Sequence, residues 1–207
     1  MNTRNKIFNA ALSQMAQRGY DAVSIRDIVK EVGIKESSFY NHFSSKQELL
    51  DDIFRMFVEE ANLRIPNEQE VDLMVKHQPV NEIVQRRLVE YIRFWDHQVL
   101  ENAWYVINME QFKRKEAMQV ALKIWNQVFE LLEMIFTKLV ALKKIKKVNP
   151  ATLAYSYGYA MRAIQIEYEL SKSNQLSTDE ITSRMQHFAI QFANSLEKEK
   201  KWRFVMD

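Results

Sequence analysis

The scarcity of glycine and proline limits what this chain can fold into more than any other feature of its sequence. Each occurs only three times in 207 residues, which is too few for the many tight turns of a β-sandwich or a β-barrel. With 47% hydrophobic residues the chain can nevertheless fill a sizeable core. Its leucine, alanine, glutamate, lysine, glutamine and methionine residues all favour helix. We therefore predict an all-α protein of about nine helices.

Apolar residues recur every three or four positions in several segments, which is the spacing of amphipathic helices. Short helices are predicted over residues 4–18, after Ser24, over residues 35–42 and after Ser45, and we expect Gly19 to end the first of them in the left-handed conformation. The polar segment 62–79 predicts a mobile, irregular connection. Longer helices are predicted over Ile83–Trp95, Ala103–Phe112 and Ala117–Leu142, and two amphipathic helices that start near Asn149 and Ser177 close the chain.

The second and third predicted helices have the size of a helix-turn-helix unit. The turn at residues 32–34 is short enough for the two helices to cross steeply. In the third helix Phe39 and Phe43 are predicted to anchor one side, while the outer face is dense in hydroxyl, amide and cationic groups. Such groups suit base edges in the major groove and phosphate oxygens. The local charge agrees, since residues 1–46 carry seven lysines and arginines against four acidic residues.

Two stretches of this segment also carry a family resemblance. They are residues 24–34, SIRDIVKEVGI, and residues 38–49, SFYNHFSSKQEL. Together they resemble the signature of TetR-family transcription regulators, and the resemblance covers the first quarter of the chain. It implies a helix-turn-helix DNA-binding domain, placed at residues 1–46 and called the head below. It also implies a larger helical domain at residues 47–207 for effector binding and dimerisation.

The resemblance further implies roles for individual side chains of the head. Phosphate contacts are expected from Tyr40, His42 and Lys46. Base edges or the nearby backbone are expected to meet Lys35, Ser37, Ser38 and Asn41, and the flanking strand is expected to meet Ser24 and Arg26. The sequence departs from the usual family residues at Lys35, Ser37, Val29 and Val32, so the operator sequence does not follow from the resemblance.

The middle and later helices are rich in aromatic side chains and methionine, which suit an adaptable apolar cavity between helices. An ordinary core would show the same composition, and for Arg162 an ion pair or plain exposure is the alternative. Because regulators of the TetR family often bind an apolar or aromatic effector in this part, the resemblance favours a small-molecule site. Its candidate residues are Trp95, Trp104, Tyr105, Met109, Phe112, Trp125, Tyr155, Tyr159 and Arg162.

A single head reads only a few base pairs, so two heads related by a dyad are needed to read a near-palindromic operator. The two closing helices each carry an apolar stripe, and they can pair with those of a second copy in a four-helix bundle. The predicted function is that of a homodimeric transcription regulator, a repressor that a small apolar or aromatic effector releases from double-stranded operator DNA. The alternative is a DNA-associated scaffold or binding protein without an effector.

Other classes of function find little support in the residues. Cysteine is absent, which excludes disulfides and thiolate zinc sites. His77, His97 and His187 lack metal-ligand spacing, and neither a nucleophile–base pair nor a phosphate-binding glycine loop is visible. We therefore expect no metal, no cofactor and no enzymatic activity. Since no segment has the length and apolar character of a membrane span or a signal peptide, the expected location is the cytoplasm.

Overall fold

The computed structural model describes residues 2–86 and 97–196, which form helices joined by short connections. No strand occurs in these two ranges, so the predicted all-α fold class is confirmed. Nor does either range contain a helix with the length and apolar character needed to span a membrane. The helices are α1 (Thr3–Arg18), α2 (Ile25–Val32), α3 (Glu36–Phe39), α4 (Lys46–Asn62), α5 (Glu68–His77), α6 (described over 80–86), α7 (Gln98–Glu110), α8 (Lys115–Ala141), α9 (Pro150–Ser173) and α10 (Asp179–Leu196).

Side-chain caps set where several of these helices begin. In α1, α2, α4, α5 and α9 the N-cap side chain accepts a hydrogen bond from the backbone N–H three residues further on. Each such bond satisfies one of the donors that the start of a helix leaves without a partner. These N-caps are Asn2, Ser24, Ser45, Asn67 and Asn149. The predicted starts of α2, α4 and α9 are thereby confirmed.

The segment between residues 62 and 79 is more ordered than the sequence predicted. It contains α5, which opens with a complete capping box at Asn67. Val71, Met74 and Val75 are the buried side chains of this helix. The prediction of an irregular connection was wrong because an apolar face of three residues is easily outweighed by polar neighbours and two flanking prolines.

Two details of the head also differ from the predictions. Gly19 follows α1 with φ 81° and ψ 158°, so its φ is positive but its conformation is not the left-handed helical one. Gly33, after α2, does adopt the left-handed conformation, with φ 76° and ψ 33°. α3 has only four residues, because the chain continues from Phe39 into a turn in which the N–H of His42 donates to the Phe39 carbonyl over 2.9 Å.

The described residues group into two units, each with its own core. Among the described residues, the first unit consists of residues 2–65 and 97–126, and the second of residues 66–86 and 127–196. In the first unit α7 packs against α1 and α4, and Phe57 of α4 stacks on Trp104 of α7 with ring centroids 5.5 Å apart. The head therefore shares a unit with α7. The functional boundary predicted between residues 46 and 47 stays a prediction.

The second unit is built around the packing of α9 against α10. The ring of Tyr157 lies 5.7 Å from Phe188 and 5.0 Å from Phe192, measured between centroids. On α9 the absence of a side chain at Gly158 allows a close approach to α8, since a Cβ atom there would lie 2.5 Å from Cε1 of Phe129. Aromatic packing and one glycine thus bring α8, α9 and α10 together.

Candidate nucleic-acid interface

Two phenylalanines fix the third helix of the head to the rest of the first unit. Phe39 is 0% exposed and Phe43 is 1% exposed, and their ring centroids are 5.8 Å apart. The ring of Tyr40 meets Phe39 edge-on at 5.5 Å but is itself 53% exposed. Phe39 and Phe43 therefore anchor one side of this segment, as predicted from the sequence. The polar side chains of residues 35–42 are left on the other side. We call residues 35–42 the recognition segment.

The nine side chains predicted to contact DNA all keep some access to solvent. Six of the nine lie on the recognition segment itself, so the fold brings most of the set onto one short stretch. Their contact with DNA stays a prediction. Exposed members are Ser24, Arg26, Lys35, Ser37, Tyr40 and Asn41, and half-buried members are Ser38, His42 and Lys46.

Ser24 and Arg26, at the start of α2, already have partners within the head. The Ser24 hydroxyl donates to Oδ2 of Asp27 over 2.7 Å and accepts from the Asp27 N–H over 3.2 Å. Backbone and side-chain hydrogen bonds from Ser24 lower the pKa of Asp27. Arg26 is 85% exposed and pairs with Glu36 over 3.2 Å. Exposed pairs of this kind contribute little to stability, so Arg26 can exchange its partner for a phosphate at small cost.

Lys46, the first residue of α4, is the predicted DNA contact that is most engaged inside the protein. Its ammonium group donates to the carbonyl oxygens of Tyr20 and Val23 over 2.9 and 2.7 Å. It also lies 4.0 Å from the centroid of the Tyr20 ring. Burial lowers the pKa of Lys46. Since an ammonium carries three donors, these two bonds leave one for a phosphate.

Arg4 supports the recognition segment and was missed by sequence reasoning. Its guanidinium donates to the carbonyl oxygen of His42 over 3.1 Å and lies 4.2 Å from the centroid of the Phe43 ring. The same group pairs with Asp52 of α4. Arg4 and His42 are 38 residues apart in the chain, and no local pattern signals such a contact. Arg4 therefore positions the end of the recognition segment from α1.

The candidate effector residues of the first unit divide into a buried and an exposed group. Trp104 is 1% exposed, and its ring centroid lies 6.3 Å from that of Trp125. Tyr105 is half-buried and donates through its hydroxyl to Glu101 over 2.9 Å. Met109 is 37% exposed and Phe112 is 92% exposed, so Phe112 lies on the surface of this unit.

The candidate effector residues of the second unit lie on α9. The rings of Tyr155 and Tyr159 stack with centroids 5.9 Å apart, and these side chains are 47% and 62% exposed. Phe129 of α8 contacts both, at 4.9 and 5.0 Å. Arg162 pairs with Glu169 over 3.5 Å, in line with the ion pair weighed from the sequence. Trp95, the remaining candidate, lies outside the described residues.

Within the described residues, α2, the turn at Gly33 and α3 form a helix-turn-helix unit whose polar recognition segment is held on two buried phenylalanines. Residues 7–53 match the family model described as bacterial regulatory proteins, tetR family. Residues 7–53 are therefore similar to the N-terminal domain of the TetR family, and the resemblance seen in the two sequence stretches is confirmed over this part of the chain.

Relatives of known description match about a quarter of the chain. The HTH-type transcriptional repressor KstR2 of Mycobacterium tuberculosis is 38% identical over 56 residues, which are 27% of this chain and 28% of that protein. The negative transcriptional regulator IcaR of the icaADBC biofilm operon, from Staphylococcus aureus strain Newman, is 38% identical over 48 residues, 23% of this chain and 26% of that protein. These matches thus span little more than a quarter of the relatives' own length.

Solved structures match almost the whole chain at low identity. A TetR family transcriptional regulator from Pseudomonas syringae has a TM-score of 0.62 at 16% identity, covering 93% of this chain and 95% of that one. A transcriptional regulator from Saccharomonospora viridis in complex with choline scores 0.66 at 17% identity, covering 89% and 94%. The SmeT–triclosan complex scores 0.65 at 14% identity, covering 95% and 92%. At these identities the likeness establishes the fold of the chain.

Proposed function

We propose that this chain is a cytoplasmic transcription regulator that represses its target genes by binding a near-palindromic operator as a homodimer. The observation that carries the proposal is the recognition segment, which turns hydroxyl, amide and cationic side chains outward from the Phe39–Phe43 anchor. These groups match the donors and acceptors of base edges and phosphates. Further support comes from the match of about a quarter of the chain to two proteins described as a repressor and a negative regulator.

The proposed dimer forms through an exposed apolar stripe on α9. The stripe consists of Tyr155, Tyr159, Ile166 and Leu170, which are 42% to 62% exposed. Their spacing of four, seven and four residues places them on one side of the helix. In a C2 dimer the same stripe meets its own copy.

The outer face of α10 differs from that of α9. Of the large apolar side chains described on α10, Ile190 is the one that is exposed, at 38%. Exposed neighbours on α10 include Ser183, His187 and Asn194. We therefore assign the apolar centre of the dimer contact to α9 and its polar flank to α10.

A small apolar or aromatic effector is proposed to release the repressor from DNA. Two structural neighbours are described in complex with small molecules, choline and triclosan, and this supports the proposal by analogy of fold. Among the candidate residues we retain Trp104, Tyr105 and Trp125 as the effector group, because the rings of Trp104 and Trp125 lie 6.3 Å apart and Tyr105 follows Trp104 on α7. An effector that binds more tightly to a dimer conformation whose heads do not fit the operator weakens DNA binding by linkage.

The experiment that tests the proposed function starts from a library of random DNA duplexes. The purified chain selects duplexes over several rounds, and fluorescence anisotropy at near-physiological salt compares the enriched duplex with a scrambled one. We expect a near-palindromic consensus and a preference of about a thousandfold or more, which is typical of specific recognition. Equal affinity for both duplexes would contradict the proposal and favour the scaffold alternative.

A further inference from the structure

Glu110, the last residue of α7, is a buried carboxylate that the proposed function does not use. It is 1% exposed, yet both of its oxygens have donors. Oε1 accepts the backbone N–H of Tyr20 over 3.2 Å, and Oε2 accepts Nε of Arg114 over 2.9 Å. A buried charge is tolerated only when it is paired and hydrogen-bonded. Glu110 therefore ties the end of α7 to the connection between α1 and α2, residues 19–24.

Arg114 strengthens this tie by reaching a second residue of the connection. Its guanidinium donates to Oδ1 of Asp21 over 2.7 Å and lies 4.1 Å from the centroid of the Tyr20 ring. Burial by itself would lower the pKa of Arg114, but the hydrogen bond to Glu110 and the charge of Asp21 outweigh it and raise the pKa. Two side chains at the junction of α7 and α8 thus hold Tyr20 and Asp21.

The same connection is held from a second direction by the start of α4. Lys46 binds the carbonyl oxygens of Tyr20 and Val23, and the Tyr20 hydroxyl donates to Oε1 of Gln47 over 3.4 Å. Ser24, the last residue of the connection, caps α2. The position of α2 thus depends on contacts to the backbone and to the side chain of Tyr20. The recognition segment follows α2 in the chain, so its position depends on the same contacts.

We propose that Glu110 and Arg114 are positioning residues for DNA binding. They hold residues 19–24, and through them α2 and the recognition segment, in the geometry that fits DNA. The inference rests on the proposed function and extends it, because it assigns a role to two residues that lie more than 60 positions beyond the head. Glu110 does not act as a DNA contact, since it is buried and its charge has the sign of a phosphate.

The substitution Glu110→Gln tests the proposal, because a positioning role and a purely electrostatic effect change the DNA affinity in opposite directions. Losing a negative charge strengthens binding to the phosphate backbone if through-space electrostatics is the only effect. We expect the opposite, because the glutamine amide keeps the size of the side chain but loses the ion pair with Arg114. Affinity for the selected duplex should fall by about tenfold or more, because breaking the buried ion pair lowers the fraction of molecules whose head has the geometry that binds DNA. Glu116→Gln, which removes the same charge from an exposed position on α8, is the matched control and should not weaken binding.

The substitution Arg114→Lys separates positioning from phosphate contact. Lysine keeps the charge but lacks the planar fork that lets arginine bind Glu110 and Asp21 together. We expect weaker binding to the selected duplex with an unchanged dependence of the affinity on salt, because no phosphate contact is lost. A salt slope that changes by about one unit would mean that Arg114 itself touches the DNA, and would overturn its assignment as a positioning residue.

The hydrogen-exchange rate of the Tyr20 amide reports on its hydrogen bond to Glu110 in the absence of DNA. In Glu110→Gln we expect this amide to exchange about tenfold faster or more, because the acceptor is no longer charged and no longer forms an ion pair with Arg114. Glu116→Gln should leave the rate unchanged. If Glu110→Gln does not fold, Asp21→Asn takes its place, since Asp21 is 63% exposed and its loss leaves the core intact; it should accelerate exchange and weaken binding in the same direction.

The outcomes distinguish this inference from the proposed function. A wild-type chain that binds the selected and scrambled duplexes equally refutes the proposed function, and the Tyr20 exchange rate then still decides whether the tie exists. Specific binding by the wild type, with Glu110→Gln equal to Glu116→Gln in affinity and in exchange, overturns the inference alone. Weaker binding and faster exchange in Glu110→Gln and Arg114→Lys, against unchanged controls, support it.

Discussion

Replacing Lys46 with methionine separates its contribution to folding from its contribution to DNA binding. Methionine keeps an unbranched side chain that ends at Cε, but it leaves the carbonyl oxygens of Tyr20 and Val23 without the donor that they have at 2.9 and 2.7 Å. Hydrogen bonds to a charged group contribute about 1.5–3 kcal/mol each. Because Lys46 is half-exposed and water can partly replace it, we expect the free energy of unfolding to fall by about 2 kcal/mol in total.

Urea denaturation at neutral pH measures this loss, and the salt dependence of DNA affinity measures the other role. If the third donor of the ammonium binds a phosphate, Lys46→Met should also reduce the salt slope by about one unit. Lys35→Met is the matched control, since Lys35 is exposed on the recognition segment and should change the slope but not the stability. Unfolding of Lys46→Met at the wild-type urea concentration would refute the structural role that we derive for this residue.

Three further predictions concern the dimer, acid sensitivity and core packing. Leu170→Glu should convert the dimer to a monomer in light scattering, whereas Leu176→Glu, at nearly the same exposure (60% and 63%) but off the α9 stripe, should not. The pKa of Asp27 is lowered in the folded state by Ser24, so its stabilisation is present at neutral pH and lost as the pH falls through the folded pKa; Asp27→Asn should flatten the fall in melting temperature below about pH 4. Gly158→Val should cost about 1–3 kcal/mol of stability in urea denaturation, and less in a Phe129→Ala background, because the added side chain meets that ring.

The parts of the fold that the sequence predicted well are those set by neighbouring residues. The start of α2 follows from Ser24 and Asp27, three positions apart, and the core role of Phe39 and Phe43 follows from their spacing of four. Such signals act within one turn of helix and are legible in the sequence. α5 escaped prediction although it has the same kind of cap, because its apolar face is only three residues wide.

In the candidate site, too, the residues close together in the chain were predictable, whereas the contacts between distant residues were not. The side chains expected to meet DNA lie within one short segment, and a motif identifies them. The side chains that hold this segment in place come from elsewhere: Arg4 reaches His42 across 38 residues, and Glu110 reaches Tyr20 across 90. Contacts of this span depend on how helices pack, and no periodicity or capping pattern encodes them.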